Sequence, residues 1–204
     1  SLKRIHMHNN PSQNAQPYNT GLFEFITLLA MTMSLVALSI DAMLPALPQI
    51  GQELEVVRQN STQFIITALF AGLSVGQLIA GPLSDSIGRK KCIYIGFSLF
   101  FVGSWLCYFA TSFETMLAGR FIQGMGAGAP RIVTIAIVRD RYHGRDMARV
   151  MSYIMGVFIF VPALAPTIGQ AIMAVAHWRS IFLLFIAMVC GLSVWIGLRL
   201  NETL

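Results

Sequence analysis

The sequence predicts an all-α polytopic membrane protein, a bundle of six transmembrane helices. Of its 204 residues, 55% are hydrophobic and only 11% are charged, with a mean hydropathy of +0.66. A soluble domain carries roughly a quarter charged residues and needs them to coat its surface. Six apolar stretches follow one another at 22–47, 62–83, 92–111, 116–138, 147–174 and 178–200. Each is long enough to cross ~30 Å of hydrocarbon at 1.5 Å per residue. The basic residues fall unevenly in the connections. Alternation of period two is absent, which argues against a membrane barrel, and hydrophobicity this high excludes a disordered chain.

Residues 1–21 are polar and rich in Asn, Gln and Pro, without the apolar core of a signal peptide, and are expected to form a disordered tail. The first span carries Asp41 in its second half and Pro45 and Pro48 near its end. Gly72 and Gly76 in the second span, and Gly124 and Gly128 in the fourth, have the spacing that lets membrane helices approach closely. The fifth contains Pro162 and Pro166, with Gly169 just beyond; prolines suit a helix that bends. On the N-terminal side of the membrane lie Lys3, Arg4, Arg89, Lys90, Lys91, Arg139, Arg141, Arg145, Arg149 and Arg199, against Arg58 and Arg179 on the other. That asymmetry predicts both termini in the cytoplasm. It also accounts for the net charge of +5 as a topology signal, with no basic face for nucleic acid.

No catalytic constellation appears, so an enzyme is not expected. Cys92, Cys107 and Cys190 lie inside apolar runs, odd in number, and imply buried thiols rather than disulfides. His6, His8, His143 and His177 lack metal-ligand spacing, and no phosphate-cradling loop supports coupling to ATP. No cofactor or metal is expected.

Charges inside the spans need a reason, since one at the bilayer centre costs at least ~2.5 kcal/mol. Asp41 and Arg120 are expected at similar depth, the first span running outward and the fourth inward, where they can pair across the bundle. Such a pair is either a static packing device or a proton- and cation-binding site, the carboxyl responding to lost hydration and to its neighbouring guanidinium. Arg131 is eleven residues beyond Arg120, nearly the same helix face at ~100° per residue. Arg120, Gln123, Arg131 and Thr134 thus form a predicted polar stripe toward a wet or protein interior. Gln123, Arg131, Phe158 and Phe160 are candidates for a cavity wall.

The second connection reads Gly81-Pro82-Leu83-Ser84-Asp85-Ser86-Ile87-Gly88-Arg89-Lys90-Lys91. Gly88 suits a tight turn, and Asp85 can accept from a helix N-terminus or pair with a base. A positive-inside anchor would need only the three bases, leaving the spacing of Gly81, Asp85 and Gly88 unexplained.

This loop resembles the cytoplasmic signature of the major facilitator superfamily, with Ser86 where a basic residue is usual. Arg120-Phe-Ile-Gln123-Gly124-Met-Gly126-Ala127 resembles the fourth-helix motif R-x-x-Q-G-x-G-A. Ala165-Pro166-Thr167-Ile168-Gly169 partly resembles the antiporter motif G-P-x-x-G-G, alanine replacing the first glycine and Gln170 the last. The run from Asp41 through Pro45 and Pro48, with RDRYHGRDMARVMSY, is similar to the Bcr/CflA-type drug:proton antiporters. Arg131 has no counterpart in these motifs.

The resemblance implies half of a twelve-helix fold, residues 22–204 forming the N-terminal domain, built of two inverted three-helix repeats. It implies proton-coupled efflux of small molecules driven by the proton gradient, with Asp41 and Arg120 in coupling. Gly81, Asp85, Gly88, Arg89, Lys90, Pro166 and Gly169 would serve the conformational change. The implied partners are membrane lipid, a small-molecule substrate and a C-terminal six-helix half from the same gene or a second chain. Alternatives from the sequence are a stand-alone six-helix scaffold or partner subunit, a homodimerising half-size unit, or an exporter of narrow range for siderophores, sugars or amino acids.

Overall fold

The computed structural model describes residues 21–56 and 59–200, so the tail expected over 1–21 lies almost wholly outside the described residues. Helix α1 (Leu22–Asp41) leads through a 3-10 turn (Leu44–Ala46) into the short α2 (Leu47–Glu53). A second 3-10 turn (Gln59–Gln63) precedes α3 (Phe64–Ile87), α4 (Arg89–Tyr108), α5 (Phe113–Arg141), α6 (Gly144–Val175) and α7 (Arg179–Arg199). No strand occurs among the described residues, and six helical segments are long and apolar enough to cross a membrane.

The first apolar stretch is divided rather than one rod, the break falling at Pro45 and Pro48 near its end. Pro45 has no N–H for the Asp41 carbonyl, and its ring would clash with it; Pro48 repeats the fault at Leu44. The helix therefore stops at Asp41, and each proline instead opens a new turn, in the 3-10 segment and in α2. By contrast, α6 runs unbroken through Pro162 and Pro166. Between α3 and α4 stands Gly88 alone, at φ +103°, a conformation that a side chain would strain.

Helix α5 packs along α3 on one side and α4 on the other, α1 along α6 and α5, and α4 along α7. Exchanging the first three spans with the last three maps these neighbours onto one another: α1–α6 becomes α5–α3, and α4–α5 becomes α7–α1. This is the relation of an inverted repeat, although no repeat is readable in the side chains. Glycine makes the closest contacts possible. A Cβ on Gly72 would lie 2.0 Å from the Phe121 carbonyl oxygen, on Gly124 2.1 Å from that of Leu69, and on Gly126 2.3 Å from the Phe100 nitrogen. Without a hydrophobic drive between helices in lipid, such backbone proximity supplies the packing.

The core runs along buried α1 and through Trp178, Phe182, Phe185 and Phe100, edge-to-face rings joining α7 to α4. Large apolar side chains cover the outside of α3 and α6, among them Leu78, Ile159, Phe160 and Leu164, as a lipid or a further helical layer would require.

Candidate functional site

The Arg120 side chain is 0% exposed. Its two terminal nitrogens donate to Gln123 Oε1 at 2.6 Å and to the Ser39 carbonyl at 2.8 Å, and Nε has no acceptor. The Ser39 carbonyl is available because of the proline break. An unbroken helix would use it for the N–H of residue 43, but Met43 donates to Ile40 instead. A guanidinium thus caps the C-terminal end of α1, where unpaired carbonyls concentrate negative partial charge. Gln123 is fixed in turn by Ser104: its amide donates to Ser104 Oγ at 2.8 Å, and that hydroxyl donates to the Phe100 carbonyl at 2.7 Å. The Phe182 ring lies 6.0 Å from the guanidinium carbon, near the limit of a cation–π contact.

Asp41, half-buried, ends α1 two residues beyond that carbonyl. The shared depth expected for Asp41 and Arg120 is thus met, but the expected pair is not formed: no ion pair joins them or gives Asp41 a partner among the described residues. The acceptor is a backbone oxygen instead. Opposite the break lies Gly169 of α6, where a Cβ would come within 2.2 Å of the Ala42 carbonyl oxygen and 2.9 Å of Pro45 Cγ. Pro166 is half-buried one turn earlier. The antiporter-like glycine therefore seats α6 on the break next to Asp41.

The predicted stripe on α5 holds only in part. Arg120, Gln123 and Thr134 are buried, but Arg131 is exposed. Arg131 follows Pro130 within a continuous α5, and its exposure is that of a residue facing water rather than the protein interior. Gln123 is an interior strut rather than a wall residue in this conformation. Phe158 packs on the core while Phe160 is 69% exposed; two residues apart on a helix, they point to different sides.

At the arginine-rich end, Arg89 is 6% exposed and is held by two carboxylates. Its Nε donates to Asp140 Oδ2 at 2.9 Å, and Nη1 donates to Asp85 Oδ1 and, at 2.6 Å, to Ser84 Oγ. Lys90 Nζ donates to the carbonyls of Gly197 and Leu200, tying α4 to the end of α7. Gly81, Ser84, Asp85 and Arg89 line one side of a 230 Å³ pocket whose other side is α5 at Ile132, Ile135, Ala136 and Arg139. The pairing of Asp85 with a base is therefore found; Asp140 as its second acid was not foreseen, though an acid between Arg139 and Arg141 was a signal.

The opposite end carries a cluster that sequence reasoning missed. Glu53 of α2 accepts from Trp178 Nε1 at 2.6 Å and pairs with Arg179 and, at 2.8 Å, with His177. Arg179 also donates to the carbonyls of Tyr108 and Ala110, both at 3.1 Å. One carboxylate and one guanidinium thereby join α2, the α4–α5 turn and the start of α7. Ser104 was missed as well, because a serine in an apolar run signals nothing until its neighbour is known. No group of three potential metal ligands occurs among the described residues.

Residues 29–203 match the family model of the Major Facilitator Superfamily. The chain is 39% identical over 181 residues to the uncharacterized MFS-type transporter YdgK of Bacillus subtilis, covering 87% of this chain and 44% of that protein. It is 40% identical over 167 residues to the multidrug resistance protein MdtL of Citrobacter koseri, covering 80% and 42%. Among solved structures, the D-xylose–proton symporter superposes with a TM-score of 0.77 at 15% identity, over 90% of this chain and 49% of that one. The human organic anion transporter MFSD10 gives 0.71 at 19%, over 93% and 49%. The chain spans less than half the length of these relatives, and the structural likenesses establish the fold.

Proposed function

This chain belongs to the major facilitator superfamily, and from that premise we propose that it forms one six-helix half of a proton-coupled exporter of small molecules. It would work in the cytoplasmic membrane by alternating access, rocking against a second six-helix half from the same gene or another chain. The long exposed apolar sides of α3 and α6 suit that partner. The charge asymmetry of the connections favours both termini in the cytoplasm. The energy source is the proton gradient, with no cofactor.

The observation that carries this reading is a buried arginine with no carboxylate partner among the described residues, held on the helix end that bears Asp41. A proton and a cationic substrate compete for Asp41, and Arg120 sets how readily that carboxyl changes state. Gly169 of α6 packs at the same break, so a change at Asp41 is felt by a helix of the opposite repeat. Asp85, Arg89 and Asp140 would hold α3, α4 and α5 together at the cytoplasmic end in one of the two states.

The test is drug susceptibility of an efflux-deficient host expressing the gene. Resistance is expected with the natural sequence and is expected to fall to the empty-vector level with Asp41→Asn. Undiminished resistance in Asp41→Asn would overturn the role of Asp41. Unchanged susceptibility with the natural sequence would shift the reading to a narrow-substrate exporter or a membrane scaffold.

A further inference from the structure

A groove of about 400 Å³ runs between α4 and α7, lined by Phe97, Phe101, Val189 and Val194 together with Tyr94 and Ser98. Its hydroxyls are already committed. Tyr94 donates to the Ser193 carbonyl at 2.8 Å, Ser98 to that of Tyr94 at 2.8 Å, and Ser193 to that of Val189 at 2.7 Å. A polar ligand would find no free hydroxyl donor there, only the weakly donating thiol of Cys190, whereas a hydrocarbon chain needs none.

One charge stands in line with this groove. Of the three bases that open α4, Arg89 is neutralised by Asp85 and Asp140, and Lys90 is spent on the end of α7. Lys91 is exposed and has no hydrogen bond or ion pair among the described residues. Ser98 and Val102 follow it by seven and eleven residues, on the same stripe of the helix. The Lys91 backbone thus lies about 10 Å along the axis from Ser98, at the membrane boundary where α4 begins. At the other end, Trp105 lies edge-on to Phe101, their ring centroids 6.2 Å apart.

We propose that this groove binds one acyl chain of an anionic phospholipid from the leaflet in which α4 begins, its phosphate on Lys91. An apolar channel with saturated hydroxyls selects the chain, and Lys91, the uncommitted base of the three that open α4, selects the headgroup. The site does not depend on which way the bundle is oriented, or on transport.

Native mass spectrometry of the purified chain, exchanged into mixed phosphatidylglycerol and phosphatidylcholine, tests it. One phosphatidylglycerol should be retained in preference to phosphatidylcholine. Lys91→Gln should reduce that preference about fivefold, the effect of ~1 kcal/mol per basic residue at an anionic surface. Val194 is 62% exposed, so Val194→Trp can fill the groove without disturbing the core; it should abolish retention of both lipids at an unchanged unfolding temperature in detergent. Equal retention of the two lipids by the natural sequence would overturn the proposal. So would a Val194→Trp chain that keeps its phosphatidylglycerol, or a lipid-free dimer sealed across α4 and α7.

Discussion

Arg89 and Arg120 are both guanidiniums inside a membrane-embedded bundle, and the structure compensates them in opposite ways. Arg89, near one end, has two carboxylates and a serine. Arg120, fully buried, has a glutamine, one backbone carbonyl and an unpartnered Nε. The first is a cation paired directly with acids, and such clusters resist removal of any one member. The second is a positive charge stabilised by dipoles alone, a costly arrangement that stability does not explain. The difference separates a charge that fastens helices from one kept available, with Asp41 two residues from its acceptor.

Both clusters depend on the same helix contact, so the largest effect comes from prying it apart. Gly126 on α5 faces the backbone of α4 at Phe100; α4 carries Arg89 and Ser104, and α5 carries Asp140, Gln123 and Arg120. Gly126→Leu is expected to cost 3 kcal/mol or more, about the upper end of overpacking effects, and to remove the folded population in a thermal unfolding experiment in detergent. Full retention of the folded state would mean that this contact does not hold the two arginines in place.

A smaller effect sharpens the contrast from the Arg89 side. Arg89→Met leaves Asp140 and Ser84 without their donor while keeping the length of the side chain. Hydrogen bonds to charged groups are worth about 1.5–3 kcal/mol, and the Asp85 side chain, 65% exposed, adds little because water screens it. A loss of about 2 kcal/mol is therefore expected in the same unfolding measurement. A loss below about 0.5 kcal/mol, the usual range for surface substitutions, would show that the carboxylates do not fasten the loop.

The six spans were legible because hydrocarbon leaves a helix few alternatives, and the glycine contacts were legible in the spacing of Gly72, Gly76, Gly124 and Gly128. The chemistry around Arg120 was legible only by half. Its burial and depth followed from counting residues, but its acceptor is a backbone carbonyl freed by Pro45 and Pro48, and a carbonyl has no signature in a sequence. The pairing expected with Asp41 assumed that a buried cation finds an acid; a helix end served instead. Arg131 is exposed where Arg120, Gln123 and Thr134 are buried, a difference that helical spacing alone does not show. Glu53, Trp178 and Arg179 were missed because the contacts of Glu53 with the other two cross more than a hundred positions, each residue being ordinary at a span boundary.

The measurement that bears most directly on this account is the unfolding free energy of Arg120→Met. The substitution strands Gln123 Oε1 and the Ser39 carbonyl, at about 1–3 kcal/mol each. It also removes a desolvated charge that costs several kcal/mol without a partner. Stability within about 1 kcal/mol of the natural sequence, or above it, is expected. A loss of 3–5 kcal/mol, about the cost of breaking a buried ion pair, would contradict the account, for it would mean that Arg120 fastens the fold as Arg89 does.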